Sequence, residues 1–414
     1  MQTGTNLPAI GGYNQTVVLD AVRRHRSGLS RVELAQRTGL SAQTIGNVSR
    51  RLIESGLIRE TGKLINGPGK PRTMLELEPQ GRYAVGVHID PAVITFVVLD
   101  LEGSVVGHSL ARTPSAPDPE EVIELMARHI DELIASAGVA RDRVMGVGIA
   151  SPGPIDLGAG VVLDPPMLRR WRDVPLRTAL SQATGLPVLL EKDVTAAAVA
   201  ELWFSASGKR SNFVFVYYGT GLGTGLVVGR EPVRGASANA GDFGHIVVDE
   251  GGPRCICGDH GCVGMLVTPS AVVRDAVESG VLDARFRLSE DDAEEIAKTD
   301  RGFAALVALA QEGDEGALAV IRRAARRLAR SIVVIINLLD LDEVILGGPF
   351  WGAIEPFMLQ ELAADVAAST ALIPKHPITV VSSAIGADVA AIGAACLVLD
   401  HAFSPRPSAM LIAV

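Results

Sequence analysis

The sequence predicts an α/β protein with two parts: a small N-terminal winged helix-turn-helix and a larger two-lobed α/β body. Three observations carry this. Residues 1–79 hold eleven Lys/Arg against six Asp/Glu, a net of +5, while the whole chain carries −9. Before residue 57 the chain reads as short helices punctuated by capping residues and glycines. After Tyr83 strand-like and helix-like stretches alternate, the pattern of an α/β domain. The 414 residues, 48% hydrophobic and 21% charged, suffice for two or three domains and exclude wholesale disorder.

The basic part comes first. Gln15 to Arg26 carries an apolar stripe at Val18, Leu19 and Val22, expected as a helix. Ser30 followed by Glu33 is a capping box that opens a short helix through Thr38, and Gly39 ends it. Ser41 caps the next helix, Ala42 to Ser55, and Gly56 stops it. Two helices around a Gly-containing turn form a helix-turn-helix, whose second helix lies in a DNA major groove. Its apolar residues Ile45, Val48, Leu52 and Ile53 point inward. Ser41, Gln43, Thr44, Asn47, Arg50 and Arg51 are left for solvent or double-stranded DNA. Gln and Asn read adenine edges; Arg reads guanine or holds phosphate. Between Arg59 and Leu77, strand-like pieces flank Gly67 to Arg72, either a β-wing with Lys70 and Arg72 at its tip or a linker.

In the body, AVGVHI, ITFVVLDLEG and SVVGHSL read as consecutive strands with a turn at Leu101-Glu102-Gly103. A helix is expected from Glu120 to Ala137, then a strand running into the Ser151–Asp156 Gly/Pro loop. Leu176–Thr184 reads as helix, Val188–Glu191 as strand and Val194–Ser205 as helix. From Phe213 an apolar strand, the Gly219–Gly225 turn and a second apolar strand follow. That turn is either a phosphate cradle or a glycine-rich hairpin, and the strand after it excludes a dinucleotide fingerprint. Glu315–Leu339 reads as a long helix, DEVILGG as a strand and Asp388–Asp400 as a closing helix.

Four cysteines are too few for a disulfide scaffold of this size. Cys255, Cys257 and Cys262 fall close together after His245, and a Cys3His set is a tetrahedral zinc complement that leaves no open position, so a structural Zn2+ is expected. Gly258 and Gly261 permit the tight turns; His260 reads as a turn residue and Cys396 as core. No apolar run reaches the roughly 18 residues of a membrane span, and no basic-then-apolar leader opens the chain, so a cytoplasmic protein is expected.

With the Gly244–Gly264 motif GHIVVDEGGPRCICGDHGCVG, the body resembles the ROK family of repressors and sugar kinases, whose fold is actin-like and sugar-kinase-like. With its head, the chain is similar to the family's transcriptional regulators. The resemblance implies domains at 1–79 (head and wing), 80–195 completed by 386–402 (first lobe) and 196–385 (second lobe with zinc motif and oligomerisation helices). It implies a homodimer or homotetramer on a two-fold operator, controlled by a sugar or sugar derivative, with repression as the expected sense.

Family kinases carry an Asp-Gly-Gly-Thr-Lys phosphate loop. The matching segment here has His88, Asp90, Pro91, Ala92 and Val93 at those positions. Asp90 repels polyphosphate and Pro91 lacks a donor N–H, so no enzyme is expected. Asp193 matches the family's catalytic base and is read as a vestige that contacts ligand, or as a helix N-cap. The resemblance implies an effector site of Gly153, Lys192, Asp193, Asp242 and His245. Lys192 stands where the family has Asn; it favours an acidic or phosphorylated ligand, or pairs with Asp193, Asp242 or another local carboxylate, or points to solvent. Gly264 and Thr195 replace two further sugar contacts. The surviving Asp193 and second glycine loop keep a zinc-containing, ATP-dependent ROK sugar kinase as the alternative.

Overall fold

The computed structural model describes residues 7–25, 27–64, 72–114, 118–165, 168, 170–205, 210–288 and 295–403. Lys70, Pro166, Met167, Arg169 and the 404–408 tail lie outside the described residues.

The N-terminal unit holds α1 (Leu7–Arg23), β1 (Leu29–Ser30), α2 (Arg31–Thr38), α3 (Ala42–Glu54), β2 (Ile58–Leu64) and β3 (Arg72–Leu77). The first helix begins at Leu7 rather than Gln15 and stops at Arg23. The stripe at Val18, Leu19 and Val22 is buried as expected. The capping box forms as read: Ser30 Oγ accepts from the Glu33 N–H, and the Glu33 carboxylate accepts from the Ser30 N–H at 2.8 Å. Gly39 ends α2 in the left-handed region at φ 71°. Ser41 caps α3 by accepting from Thr44 N at 3.2 Å. β2 and β3 pair antiparallel, and β1 adds to β3, giving the order β1-β3-β2.

The body is built on two five-stranded sheets. The first contains β4 (Tyr83–Ile89), β5 (Val93–Asp100), β6 (Val105–Arg112), β7 (Val144–Ser151) and, after the short hairpin of β8 (Ile155–Asp156) and β9 (Val161–Val162), β10 (Val188–Lys192). Its order is β10-β7-β4-β5-β6: β4, β5 and β6 meander, while β7 and β10 join in parallel. Helices α4 (Pro119–Ser136) and α5 (Leu176–Thr184) cover one face. Helix α6 (Asp193–Phe204) leads to the second sheet: β11 (Phe213–Tyr218), β12 (Leu222–Val228), β13 (Glu231–Pro232), β14 (Glu343–Gly347) and β15 (Thr379–Ser382), in the order β13-β12-β11-β14-β15. Between β13 and β14 come α7 (Gly264–Val267), α8 (Pro269–Glu278), α9 (Glu295–Gln311) and α10 (Glu315–Leu339); α11 (Trp351–Ala368) follows β14. The closing helix α12 (Val389–Phe403) returns to pack on α6, β4 and β7.

Of the two readings of Gly219–Gly225, the hairpin is what forms: Tyr218 pairs with Leu222, and Gly223 and Gly225 lie inside β12. A Cβ on Gly225 would meet the Val194 carbonyl oxygen at 2.1 Å, so glycine lets α6 sit directly on the strand. One apolar cluster runs from Val18, Leu34 and Ile45 of the N-terminal unit through α6 to α12. Each such fully buried Leu, Ile or Val contributes about 1.5–3 kcal/mol, so the two parts share stability as well as a chain.

Candidate functional sites

The outward face of α3 has the residues the sequence assigns to it. Ile45, Val48 and Leu52 are buried, and Ser41, Gln43, Asn47, Arg50 and Arg51 are exposed. Thr44 is half-buried, and its hydroxyl lies 2.9 Å from Ser41 Oγ, so this pair is committed to the helix cap. The side chains of Gln43, Asn47, Arg50 and Arg51 make no intramolecular hydrogen bond or ion pair among the described residues. Arg72 is exposed at the start of β3.

The second site lies between the sheets. β7 and β10 end side by side, with Ser151 opposite Lys192, so the Gly153 loop and the start of α6 share one sheet end. Lys192 is the N-cap and Asp193 the first helical residue, one position later than the capping reading of Asp193 requires. The Asp193 carboxylate accepts from its own neighbour, Val194 N, at 2.7 Å. Burial raises its pKa; the His88 imidazole, the Val194 N–H and the Lys192 ammonium oppose that rise.

The Lys192 ammonium pairs with neither Asp193 nor Asp242 at salt-bridge distance. It donates to the backbone carbonyls of Asn239 and Ala240, both at 3.3 Å. Asn239 in turn clamps β8: its Oδ1 accepts from Ile155 N at 2.7 Å and its Nδ2 donates to Ile155 O at 2.8 Å. Gly153 packs beneath this clamp, where a Cβ would lie 3.1 Å from Lys192 Cε and 3.3 Å from Asn239 Oδ1. Arg234 and buried Glu191 add an ion pair at 2.7 Å. The loop of residues 233–244 is thus tied to the first sheet by a buried lysine, an asparagine and an arginine. Asn239 and Arg234 were missed from sequence, because both lie in a short polar loop without periodicity.

Deeper in the cleft, Asp90 Oδ1 accepts from Ala92 N at 2.9 Å and from the Thr220 hydroxyl at 3.1 Å. An N–H that a phosphate loop would offer to a ligand is here taken by a side chain. His88 stands edge-on to Tyr217, ring centroids 5.8 Å apart. Asp242 and His245 are exposed at the opposite rim, and Asp242 makes no ion pair with Lys192.

His245 also belongs to the third site. The donor atoms of His245, Cys255, Cys257 and Cys262 all lie within 4.8 Å of one another. Cys255 Sγ is 3.3 Å from His245 Nδ1, and Cys257 Sγ is 3.6 Å from Cys262 Sγ. Donors about 2.3 Å from one tetrahedral ion stand roughly 3.8 Å apart, so the spacing and the soft donor set fit a metal ion. No disulfide joins these cysteines. The Cys257 backbone N–H foremost holds the Cys255 thiol down to about 7, while burial and its thiol neighbours push Cys262 up to about 12, so the cluster shares its protons unevenly. The knuckle turns tightly at Gly258 and Gly261, with φ 102° and 69°. A Cβ on Gly261 would overlap the Asp249 carbonyl oxygen at 1.6 Å. α10 braces it: Arg330 donates to Val248 O at 2.8 Å and Arg327 pairs with Asp249 at 3.0 Å.

Comparison with known proteins places these features. The xylose repressor of Bacillus subtilis is 25% identical over 94% of this chain and 95% of its own length. The Escherichia coli DNA-binding transcriptional repressor Mlc is 25% identical over 78% of this chain and 77% of its own length. The glucokinase of Thermotoga maritima is 29% identical over 77% of this chain and 97% of its own. Among solved structures, a ROK family transcriptional regulator homologous to E. coli Mlc superimposes with a TM-score of 0.76 at 23% identity, covering 95% of this chain and 98% of that one. That likeness establishes a mixed α/β, sugar-kinase-like fold. The profile of the ROK family matches residues 84–401, more than three quarters of the sequence, and the chain belongs to that family.

Proposed function

We propose that the chain is a sequence-specific, DNA-binding transcriptional repressor of carbohydrate metabolism, modulated by a sugar or sugar derivative in its kinase-like cleft. One observation carries this reading: α3 presents the side chains of Gln43, Asn47, Arg50 and Arg51 without partners among the described residues, above buried Ile45, Val48 and Leu52 and half-buried Ile53. In this reading residues 1–79 form a winged helix-turn-helix with Arg72 on the wing; Lys70, assigned to the same tip from the sequence, lies outside the described residues. The body divides into lobes 80–195 with 386–402, and 196–385, and α6 crosses the boundary between them. Full-length similarity to repressors supports the regulatory role.

The effector site is Gly153, Lys192, Asp193, Asp242 and His245, to which we add Asn239. Its two lobes are tied by groups that a sugar's hydroxyls would compete for. A ligand that binds one lobe arrangement better shifts the equilibrium between them, and with it the orientation of the heads in a homodimer or homotetramer. His245, Cys255, Cys257 and Cys262 hold a structural zinc ion. With four protein donors it has no position for a reacting water, and it fixes the rim that carries His245. The Asp90–Ala92 and Asp90–Thr220 bonds close the segment where a kinase would cradle phosphate, in line with a degenerate loop and no enzymatic turnover. Among the described residues no helix is long and apolar enough to cross a membrane.

The test is selection of bound fragments from genomic DNA of the source organism at near-physiological salt. Enrichment of an inverted repeat with half-sites about one helical turn apart is expected; sequence-blind retention would contradict the reading. A second reading, a sugar kinase, is favoured by Asp193 and by similarity to glucokinases. Sugar-dependent ADP release that Asp193→Ala abolishes would establish it.

A further inference from the structure

A cavity of about 360 Å³ lies where the N-terminal unit meets the body, away from both α3 and the cleft. The end of α1, with Arg23 and Arg24, forms one wall. The end of α6, with Trp203 and Phe204, forms the other, and Arg230 in the β12–β13 turn closes it. The cavity is within the size range of small-molecule sites.

Its charges are unevenly matched. Arg23 is committed: it donates to the Trp203 carbonyl at 3.2 Å, lies 4.0 Å from the indole centroid and pairs with Asp20 at 2.7 Å. Arg24 pairs through Nε with the other Asp20 oxygen at 2.7 Å and lines the cavity. Arg230 donates to a neutral acceptor, the Arg210 carbonyl, at 3.0 Å. Among the described residues no carboxylate oxygen lies within 4.0 Å of its guanidinium. Three guanidiniums therefore share one contacting carboxylate. On the rim, Glu102 is exposed and Glu76 faces Arg59 at 4.0 Å. Burial, then the Arg24 guanidinium, hold Arg230 below the ordinary arginine range, against the pull of the Asp20 and Glu231 carboxylates.

The backbone supplies an independent observation. Gly229 and Arg230 have φ of 59° and 67°, both in the left-handed region, as a two-residue hairpin turn demands. Glycine or asparagine fills the second position with less strain than arginine, and strain retained at one residue points to a use for its side chain.

We propose that this junction cavity binds a compact dianion of the phosphate-monoester class between Arg24 and Arg230, against the Trp203–Phe204 wall. The same chemistry has two sources, a free phosphorylated metabolite and a DNA backbone phosphate. Either occupant bridges α1 of the head to α6 and the β12–β13 turn of the body, and so fixes the head's orientation without entering the cleft.

The experiment is calorimetric titration of inorganic phosphate into the full-length protein at constant ionic strength set with chloride. Saturable binding is expected. Arg230→Gly, which suits the turn, should weaken it at least tenfold without lowering the melting temperature, and Arg24→Gln should weaken it similarly. Asp193→Ala should leave the titration as in the wild type, so failure here is separable from failure of the cleft reading. In salt-dependent DNA titrations, an unchanged slope for Arg230→Gly assigns the site to a free phosphate ester. A slope reduced by about one assigns it to the DNA backbone. Absence of saturable phosphate binding in the wild type, or wild-type affinity in Arg230→Gly, overturns the proposal.

Discussion

The α3 face and the inter-sheet cleft both concentrate polar side chains, yet they treat them in opposite ways. On α3, the side chains of Gln43, Asn47, Arg50 and Arg51 bond to nothing among the described residues. In the cleft, Lys192 is held by two carbonyls, Asn239 by Ile155, Glu191 by Arg234 and Asp90 by Ala92 and Thr220. Exposed polar groups without partners cost nothing in water and are ready for an external ligand. Buried ones must be satisfied, at a penalty of about 1–3 kcal/mol if they are not. The head is thus a surface awaiting a partner. In the proposed function the cleft is a latch whose bonds a ligand would have to replace.

The largest expected effect is at the knuckle that carries His245 and so anchors the cleft's outer rim. Cys255→Ser with Cys262→Ser should reduce bound metal from about one ion per chain to near none, by elemental analysis, and lower the melting temperature by several degrees. Structural zinc sites hold folding energy on the order of 10 kcal/mol in isolated fingers, so retention of both metal and stability would remove the knuckle from the account.

Next is α3. Asn47→Ala and Arg50→Ala should each weaken binding to a selected duplex by about 5–150-fold, the equivalent of roughly 1–3 kcal/mol per base contact. Because both side chains are exposed and without partners, thermal stability should not move. A stability loss equal to the binding loss would show that the face is structural after all.

Breaking the latch should have a smaller effect of another kind. Asn239→Ala leaves the Ile155 N–H and C=O unpaired and should cost about 1–3 kcal/mol in chemical denaturation. It should also change the sugar response of DNA binding while leaving ligand-free binding nearly intact. Loss of ligand-free DNA binding instead would place Asn239 in the structural core.

The smallest effect is electrostatic. Burial raises the Asp193 pKa above 3.8, so folding favours its protonated form. That contribution is complete below the unfolded value and is lost as pH rises through the raised value, where the buried carboxylate must ionise. Asp193→Asn should therefore melt higher than the wild type at neutral pH, and the difference should vanish as pH falls toward about 4. A difference that grows with acidity would contradict the buried-charge account.

How far these regions were legible in the sequence follows from the range of the interactions. The caps at Ser30 and Ser41 and the stop at Gly39 act within four residues, so α2 and the start of α3 could be read directly. The cysteines and His245 announce themselves by residue type. The latch could not be read: Asn239 meets Ile155 across 84 residues, and nothing near either one marks the pairing. The same holds for Lys192, whose expected partners were carboxylates nearby in sequence or motif; it took carbonyls 47 and 48 residues away. The start of α1 was misplaced because Pro8, Gly11 and Gly12 are poor helix formers, yet the helix runs through them from Leu7.

The central claim is that the unspent face of α3 reads DNA sequence. The most direct measurement is fluorescence anisotropy of the full-length protein and of Asn47→Ala/Arg50→Ala on the selected duplex and on a scrambled duplex of equal length and salt. The account predicts a wild-type preference for the selected duplex of at least a hundredfold that collapses in the double variant, with affinity for the scrambled duplex changing far less. Equal loss on both duplexes, or an undiminished preference, would contradict it.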